Sequence, residues 1–274
     1  MSVQSRFDAL VGVGLVRMML QPWAWRRFRT SAVGNRYWGV YSSAAEARAH
    51  AAKVSDHVGY DHQGPAELYR DMIGRLSPCS YPMMFWLAKI CGEGSARSLL
   101  DFGGHFGIKF YNFRKFIDLP KDFSWTVFDV PQVVDSGRTY ASAKGETGIF
   151  FADSTVGRTD DIFFASGSLQ YVAGSVADEI TRLGSRPRHI LIGSLPVNRT
   201  RYFTMQNIGV TISPYQIFAR DDILSNLGEL GYDLVDSWEE PGKACHIPLD
   251  PDHSLNSYHG FYFRDAREPR RSQT

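Results

Sequence analysis

The stretch Leu99-Leu-Asp101-Phe-Gly103-Gly104-His105-Phe-Gly107 decides the fold of this chain. An apolar run ends in an acid at Asp101 and continues into a glycine-rich turn, and a helical pattern begins at Gly107. In open α/β sheets, ligands bind at such a strand-to-helix turn. Glycine adopts backbone angles that other residues avoid, and it lets a ligand come close to the main chain. The stretch therefore predicts a ligand-binding turn within an α/β fold.

Short apolar runs alternate with helical stretches after residue 95, which predicts βαβ units and a parallel sheet. The predicted strands are 98–102, 125–129, 148–153, 161–165, 189–193, 232–238 and 260–263. The predicted helices between them are 107–117, 131–144, 169–183 and 220–230. We therefore expect residues 96–264 to form a Rossmann-like domain, with a seven-stranded sheet and helices on both faces.

The first 95 residues have a different pattern, with helices predicted at 43–59, 65–76 and 82–91. Ser43 is suited to cap the first of these helices, because Glu46 follows three residues later. The sequence thus predicts an all-helical segment over residues 1–95, which we expect to act as a lid and as a wall of the acceptor site. The polar tail, residues 265–274, is expected to fray.

Composition excludes several classes of protein. A chain of 274 residues is long enough for one main core. Lysine and arginine number 30 against 29 acids, and a net charge of +1 provides no general attraction to nucleic acid. Three cysteines without metal-ligand spacing predict neither a metal site nor a disulfide framework, so a reducing compartment, the cytoplasm, is expected.

Residues 1–40 carry six arginines against the single acid Asp8, together with Trp23 and Trp25. A basic segment with tryptophans is typical of a helix that lies on an anionic membrane surface. A helix docked on its own domain explains the same residues and is the commoner arrangement. Both interpretations stay open at this point.

Three acids close three successive predicted strands: Asp101, Asp129 and Asp153. Because the carboxyl ends of parallel strands meet at one edge of a sheet, these acids should lie together. An acid at the end of the second strand can accept hydrogen bonds from both ribose hydroxyls of a nucleoside ligand. Simpler roles are also open, a turn acid before Pro131 for Asp129 and a helix cap for Asp153.

A dinucleotide-binding turn is the obvious rival interpretation, since it too places glycines between a first strand and a helix. Here, however, an acid precedes the first glycine by two residues, where the nicotinamide fingerprint has an apolar strand residue. The spacing of the glycines also fails to give G-x-G-x-x-G.

The acid and glycines of this turn resemble the first motif of class I S-adenosylmethionine-dependent methyltransferases, with His105 in place of the middle glycine. Ser166-Gly-Ser168 and Tyr171 resemble the fourth motif of small-molecule methyltransferases. The Pro-Pro-aromatic signature of enzymes that methylate nucleic-acid bases or glutamine amides is absent from this stretch. The resemblance implies S-adenosylmethionine as cofactor, with Asp153 near the adenine amino group. The cofactor-binding residues it implies are Asp101, Gly103, Gly104, Gly107, Asp129, Asp153 and Ser166.

Most of the chain is also similar to an uncharacterised bacterial family of methyltransferases associated with surface-polysaccharide genes. The stretches that carry this resemblance are 37–39, 44–47, 57–61, 99–107, 125–131, 166–171, 231–235 and 246–263. This second resemblance implies the fold and the cofactor but little about the acceptor, which we expect to be a hydroxyl of a small molecule or a saccharide.

Methyl transfer to a hydroxyl benefits from a base. The candidate bases are His105, His246, His253 and His259, and Tyr171 is a candidate for orienting the acceptor. Two other functions stay open: a catalytically silent cofactor-binding scaffold in a glycan-assembly system, and a nicotinamide-dependent reductase. The sequence does not indicate an oligomeric state.

Overall fold

Eleven strands and seven helices are formed by the residues that the computed structural model describes, which are 14–32, 34–60 and 70–267. The strands are β1 (Arg36–Tyr41), β2 (Ser98–Phe102), β3 (Ser124–Phe128), β4 (Ile149–Ala152), β5 (Ile162–Ser166), β6 (His189–Leu195), β7 (Val197–Asn198), β8 (Tyr202–Asn207), β9 (Ile212–Ala219), β10 (Tyr232–Glu240) and β11 (Tyr258–Asp265). The helices are α1 (Gly14–Arg29), α2 (Ala44–Ala51), α3 (Tyr81–Gly92), α4 (Ile108–Phe113), α5 (Pro131–Ala143), α6 (Val176–Thr181) and α7 (Arg220–Glu229).

The main sheet has seven strands in the order β10-β11-β6-β5-β2-β3-β4. Strands β4, β3, β2, β5 and β6 run parallel, whereas β11 runs antiparallel between β6 and β10. The chain moves outward in one direction from β2 to β4 and then crosses to β5 on the other side of β2. Such a reversal of strand order opens a crevice at the carboxyl ends of β2 and β5, where ligands bind in sheets of this type. The predicted seven-stranded α/β sheet is confirmed.

Helices cover both faces of this sheet, as predicted. Adjacent residues of a strand point to opposite faces, so Phe163 and Phe164 of β5 belong to different cores. The core around Phe164 includes α3 and α4, and the core around Phe163 includes α6 and α7. Trp125 of β3 is fully buried in the first core. Burial of one such large side chain contributes about 1.5–3 kcal/mol.

A second sheet of four strands, in the order β1-β8-β9-β7, was not predicted. Most of it is inserted between β6 and α7, and β1 joins it from the N-terminal segment by pairing antiparallel with β8. The expectation of an all-helical N-terminal segment is therefore wrong, although an N-terminal helix, α1, is present. The aromatic run of β1 has strand composition, and a bulge between Trp38 and Tyr41 lets Tyr37 pack on one side of the strand while Tyr41 packs with Phe28 on the other.

Three of the predicted helices are shorter than expected. Helix α2 ends at Ala51, and Val58 instead forms a β-bridge with Ile212. The Ser43 side chain caps α2 by accepting the N–H of Glu46 at 3.2 Å, as predicted. Within the stretch 169–183, Leu169–Tyr171 is a 3-10 turn, and α6 begins after the cap residue Ser175. Helix α4 ends at Phe113 rather than at residue 117.

Two other predictions extend beyond the described residues. Of the predicted helix 65–76, residues 65–69 lie outside them, and the remainder contains only the 3-10 turn Arg70–Met72. Of the tail, residues 268–274 also lie outside. Helix α1 packs on the second sheet through Ala24 and Phe28, so it is docked on its own domain. None of the helices in the described part of the chain combines the length and the apolar character that crossing a membrane requires.

Candidate functional site

One row of residues lies at the carboxyl edge of the main sheet. In the strand register, Phe102 of β2 is paired with Phe128 of β3 and with Ala165 of β5, and Phe128 is paired with Ala152 of β4. The next residue of each strand continues this row. The row therefore consists of Asp153, Asp129, Gly103 and Ser166, in that spatial order.

The glycine turn follows β2 with three residues in the left-handed region: Gly103 (φ 69°), His105 (φ 57°) and Gly107 (φ 90°). A Cβ atom on Gly103 would lie 2.2 Å from Cβ of Ser168, and one on Gly104 would lie 2.4 Å from Cγ of Asp101. Histidine is among the non-glycine residues that adopt this region most readily. The turn thus keeps its left-handed backbone although His105 stands where the motif has a glycine.

Asp101 lies beneath this turn with 1% of its surface exposed. Its Oδ2 accepts a hydrogen bond from Nε1 of Trp125 at 3.0 Å. Burial raises the pKa of Asp101 to about 7, against the opposing effects of the Trp125 hydrogen bond and the positive charge of Lys109. A carboxyl group held near its titration point under a glycine turn is suited to a cationic ligand, which would favour its charged form.

Asp129 binds the turn from the neighbouring strand. Its Oδ2 accepts the backbone N–H of His105 at 2.8 Å, and its Oδ1 accepts the N–H of Val130 at 2.8 Å. Burial raises the pKa of Asp129, and these two hydrogen bonds act in the opposite direction. Because a carboxylate offers about four lone-pair positions, each oxygen keeps one for a ligand hydroxyl.

Asp153 and Ser166 complete the row in different surroundings. Asp153 is exposed and forms an ion pair with Arg138 at 2.8 Å. No helix of the described chain begins close after Asp153, so it does not act as a helix cap. Ser166 ends β5 beside Gly193 of β6.

Ser168 joins the turn after β5 to the turn after β2. Its hydroxyl donates to the backbone carbonyl of Phe102, directly before Gly103. The sequence identified the small polar residues after β5 but not this contact. The hydrogen bond from Ser168 to Phe102 holds the two turns that flank the crevice against each other.

A chain of hydrogen bonds connects Tyr171 with the second sheet and the N-terminal segment. Tyr171 accepts from the hydroxyl of Tyr60 at 2.9 Å and donates to Oε1 of Gln206 at 2.6 Å. Nε2 of Gln206 donates to Tyr37 at 3.2 Å, and the Tyr37 and Tyr258 hydroxyls lie 3.0 Å apart. Tyr215 donates to Tyr258 at 2.8 Å. These side chains fix the turn after β5 against two other parts of the protein.

The candidate histidines are dispersed. His105 is in the glycine turn, and its ring packs edge-on against Phe106 with 4.5 Å between centroids. His259 is paired with Leu195 at the carboxyl end of β6, and burial lowers its pKa. The ring of His259 stacks on Phe261, toward the core that contains α7. His246 is exposed in the loop after β10. His253, in the same loop, contacts Asp250 at 2.8 Å.

Sequence reasoning missed a charged cluster near the crevice. It contains Lys109 in the first turn of α4, Lys243 after β10, and Glu240. Glu240 is buried and accepts hydrogen bonds from the N–H and the hydroxyl of Ser194, at 2.9 and 2.7 Å. Lys109 could have been noticed, since it follows the glycine turn by two residues. Glu240 and Lys243 carried no signal, because only the long-range pairing of β10 with β11, and of β11 with β6, brings them here.

The chain is similar to known proteins in fold rather than in sequence. No protein-family model matches it, and no curated protein sequence matches it. Solved structures with similar folds include methyltransferases. An S-adenosylmethionine-dependent methyltransferase from Clostridium acetobutylicum is 10% identical with a TM-score of 0.43, and the match covers 73% of this chain and 96% of that one. The 1,6-didemethyltoxoflavin-N1-methyltransferase of Burkholderia thailandensis is 16% identical with a TM-score of 0.42, covering 76% of this chain and 93% of that one.

A third match is the mitomycin 7-O-methyltransferase MmcR, at 12% identity and a TM-score of 0.42. It covers 68% of this chain and 54% of MmcR, so the chain spans about half the length of that protein. All three TM-scores are below 0.5. Similarity at this level does not extend to the chemistry of the site.

Proposed function

We propose that the protein is an S-adenosylmethionine-dependent methyltransferase that acts on a hydroxyl group of a small molecule or a saccharide. The observation that carries this proposal is the row of Asp153, Asp129, Gly103 and Ser166 at the switch point of the sheet. Its acids lie one strand apart, next to a turn that a ligand can approach closely, and this arrangement supports a nucleoside cofactor.

The residues of the row fit the parts of the cofactor in order. Asp129 accepts hydrogen bonds from the ribose hydroxyls with the lone pairs that His105 and Val130 leave free. Asp153 accepts from the adenine amino group after exchange of its exposed ion pair with Arg138. The buried Asp101 and the Gly103–Gly104 backbone face the cationic end. The bound cofactor supplies an activated methyl group on a sulfonium sulfur.

The remaining task of the protein is to align the acceptor and exclude water. Tyr171 is placed for this by its bonds to Tyr60 and Gln206. The N-terminal segment and the second sheet form the acceptor wall in this proposal. Gln206 interrupts the chain of tyrosine hydroxyls, and an amide does not relay protons readily, so we assign the chain to positioning.

A histidine removes the acceptor proton, and we favour His246. The support is the position of its loop: a Cβ on Gly167, after β5, would lie 3.9 Å from Nζ of Lys243, so the start of the loop reaches the crevice. His259 is at the same edge but packs toward α7. His105 is the alternative closest to the row. We place the reaction in a reducing compartment, the cytoplasm, because Cys79, Cys91 and Cys245 are free thiols.

We also propose that α1 contacts anionic membranes. Met19, Trp23 and Arg27 are spaced four residues apart and so share one face of the helix. Met19 is 71% exposed and Trp23 is 61% exposed. The Arg27 guanidinium lies 5.4 Å from the Trp23 ring, and Arg26 is exposed beside them. A face with large apolar groups and arginines complements a negatively charged lipid surface.

Calorimetric titration with S-adenosylmethionine, S-adenosylhomocysteine and NAD tests the main proposal. We expect both sulfur compounds to bind and NAD not to bind, followed by methyl transfer to some member of a panel of sugars and phenols. Binding of S-adenosylmethionine without turnover on any acceptor would favour the silent scaffold. Binding of NAD alone would favour a reductase.

A further inference from the structure

We propose that Lys109 and Lys243 form a site for an anionic group of the acceptor, a carboxylate or a phosphate. This inference rests on the proposed function insofar as it assigns the anion to the acceptor. The site lies where the 3-10 turn Pro78–Ser80, the turn after β5 and the segment after β10 meet. It is thus on the acceptor side of the crevice, away from Asp129 and Asp153 on β3 and β4.

Lys109 is partly buried, and its ammonium group is held by a neutral hydroxyl. Its Nζ donates to the hydroxyl of Ser80 at 2.6 Å and lies 5.7 Å from the ring centroid of Phe113. Among the described residues, no carboxylate forms an ion pair with it. Enclosing an ammonium group among protein atoms is unfavourable unless an opposite charge compensates it. Asp101 and Glu240 compensate this charge in part, and a ligand anion in direct contact would add to their effect.

Lys243 approaches the same place from the segment after β10. Gly242 is adjacent to Cys79, since a Cβ on Gly242 would lie 3.4 Å from the Cys79 sulfur. Nζ of Lys243 is close to Gly167, as described above. The second ammonium repels the first, and this repulsion, after burial, is a cause of the lowered pKa of Lys109, about 8. Two ammonium groups that repel each other across a crevice both gain when an anion binds between them.

The nearby acids Glu240 and Asp101 attract Lys109 but do not form an ion pair with it. Glu240 accepts hydrogen bonds from Ser194, as described, and also from Nε1 of Trp238 at 3.2 Å. Asp101 is hydrogen-bonded to Trp125 and titrates near neutral pH. Both carboxyl groups therefore have partners within the protein, while the lysines retain donors for a ligand. Anions with several oxygens, such as phosphate, can accept from both lysines at once.

The test uses inorganic phosphate as the probe, titrated calorimetrically at low salt and pH 7 into the wild type, Lys109→Met and Lys243→Met. The control is Lys89→Met, which removes an exposed lysine of α3 that forms an ion pair with Glu93. We expect phosphate affinity to fall at least fivefold in each site variant and to be unchanged in the control. Lys243 is exposed, so its variant should fold even if Lys109→Met does not.

Parallel titrations with S-adenosylhomocysteine separate the two sources of an anion. We expect its affinity to change less than twofold in either variant, and phosphate to bind equally well in its presence. If S-adenosylhomocysteine competes with phosphate, or loses affinity in step with it, the lysines hold the cofactor's own carboxylate and the assignment to the acceptor is overturned. Phosphate affinity that is absent, or equal in all proteins, also overturns it. A further outcome is that S-adenosylhomocysteine fails to bind the wild type while phosphate affinity still depends on the two lysines. That result would contradict the proposed function but would support the anion site.

Discussion

The indole N–H of Trp125 donates to the carboxyl group of Asp101 across 3.0 Å, and both side chains are buried. The pair joins β2 to β3 directly below the glycine turn. Since Gly104 has no side chain, its backbone can lie against the carboxyl group. An acid in this position responds to pH and to the charge of whatever binds above it.

Asp101→Asn should make stability less dependent on pH. Because the folded pKa, about 7, is above the ordinary value of 3.8, the folded protein binds more protons than the unfolded chain between these values. The free energy of unfolding contributed by Asp101 therefore falls as pH rises from about 4 to about 7. We expect the Tm of Asp101→Asn, relative to wild type, to increase from pH 5 to pH 8. A difference in Tm that does not vary with pH would contradict this assignment. Asp153→Asn, at an exposed site, is the control.

Gly103→Ala should destabilise the protein more than Gly145→Ala. Both glycines have φ near +65°, so both substitutions introduce backbone strain, roughly 1–2 kcal/mol. At Gly103 the added methyl also collides with Ser168, whereas nothing lies within 4 Å at Gly145. The collision adds about 1–3 kcal/mol. Denaturant unfolding of both variants measures the difference, and equal losses would show that the turn accommodates a methyl group.

Asp129→Ala should weaken the binding of S-adenosylhomocysteine by about 1.5–3 kcal/mol, the loss typical for hydrogen bonds to a charged group. Calorimetric titration measures this change, with circular dichroism to verify that the fold is retained. Asp153→Ala is the matched variant at the next position of the row. We expect a smaller loss there, because Asp153 is exposed and already paired with Arg138. An unaltered affinity in Asp129→Ala would remove this residue from the site.

The main sheet could be predicted because its signals are local. The bounds of β2 agree with those read from the sequence, and β3 to β6 agree within two residues. The apolar runs, the closing acids and the glycine turn are all contained within a few consecutive residues. Parallel strands alone bring Asp153 and Asp129 to one edge, whereas Asp101, the third acid expected there, lies two residues before the row and is buried beneath the turn.

The second sheet could not be predicted, because its strands depend on distant partners. Pro214 in β9 argues against a strand in the sequence. Pro214 is tolerated because β8 pairs with β9 at this position but β7, on the other side of β9, does not. Strand β7 pairs only with Phe218 and Ala219. Gln206 and Asn207 of β8 are buried polar residues, and they form hydrogen bonds with residues 169 and 179 positions away. No pattern within a short window indicates such contacts.

His246→Ala should lower the turnover of a hydroxyl acceptor, and His259→Ala should have a smaller effect. A histidine base is active when neutral, so the rate should fall as pH drops and the base becomes protonated. If His259 were the base, the fall would occur at lower pH, because burial lowers its pKa. Rate–pH profiles of the wild type and both variants distinguish these cases. Full activity in both variants would redirect attention to His105 and Tyr171.

Replacing Trp23 by Ala together with Arg26 and Arg27 by Glu should abolish co-sedimentation with anionic liposomes at low salt. These side chains are exposed on α1, while Ala24 and Phe28 continue to dock the helix, so the fold should be retained. The matched control is Phe116→Ala, which removes an exposed aromatic group elsewhere on the surface. If the wild type never sediments with anionic vesicles, the membrane proposal is wrong.

The pairing of β1 with β8 also dictates an order of events during synthesis. Tyr37 and Gln206 are 169 positions apart, so β1 leaves the ribosome long before its partner exists. Contacts of such long range slow folding, and until they form, the unpaired strand can associate with other chains. The aromatic run of β1 is therefore a candidate chaperone-binding segment, and nascent chains that stop before β8 should aggregate more readily than those that include it.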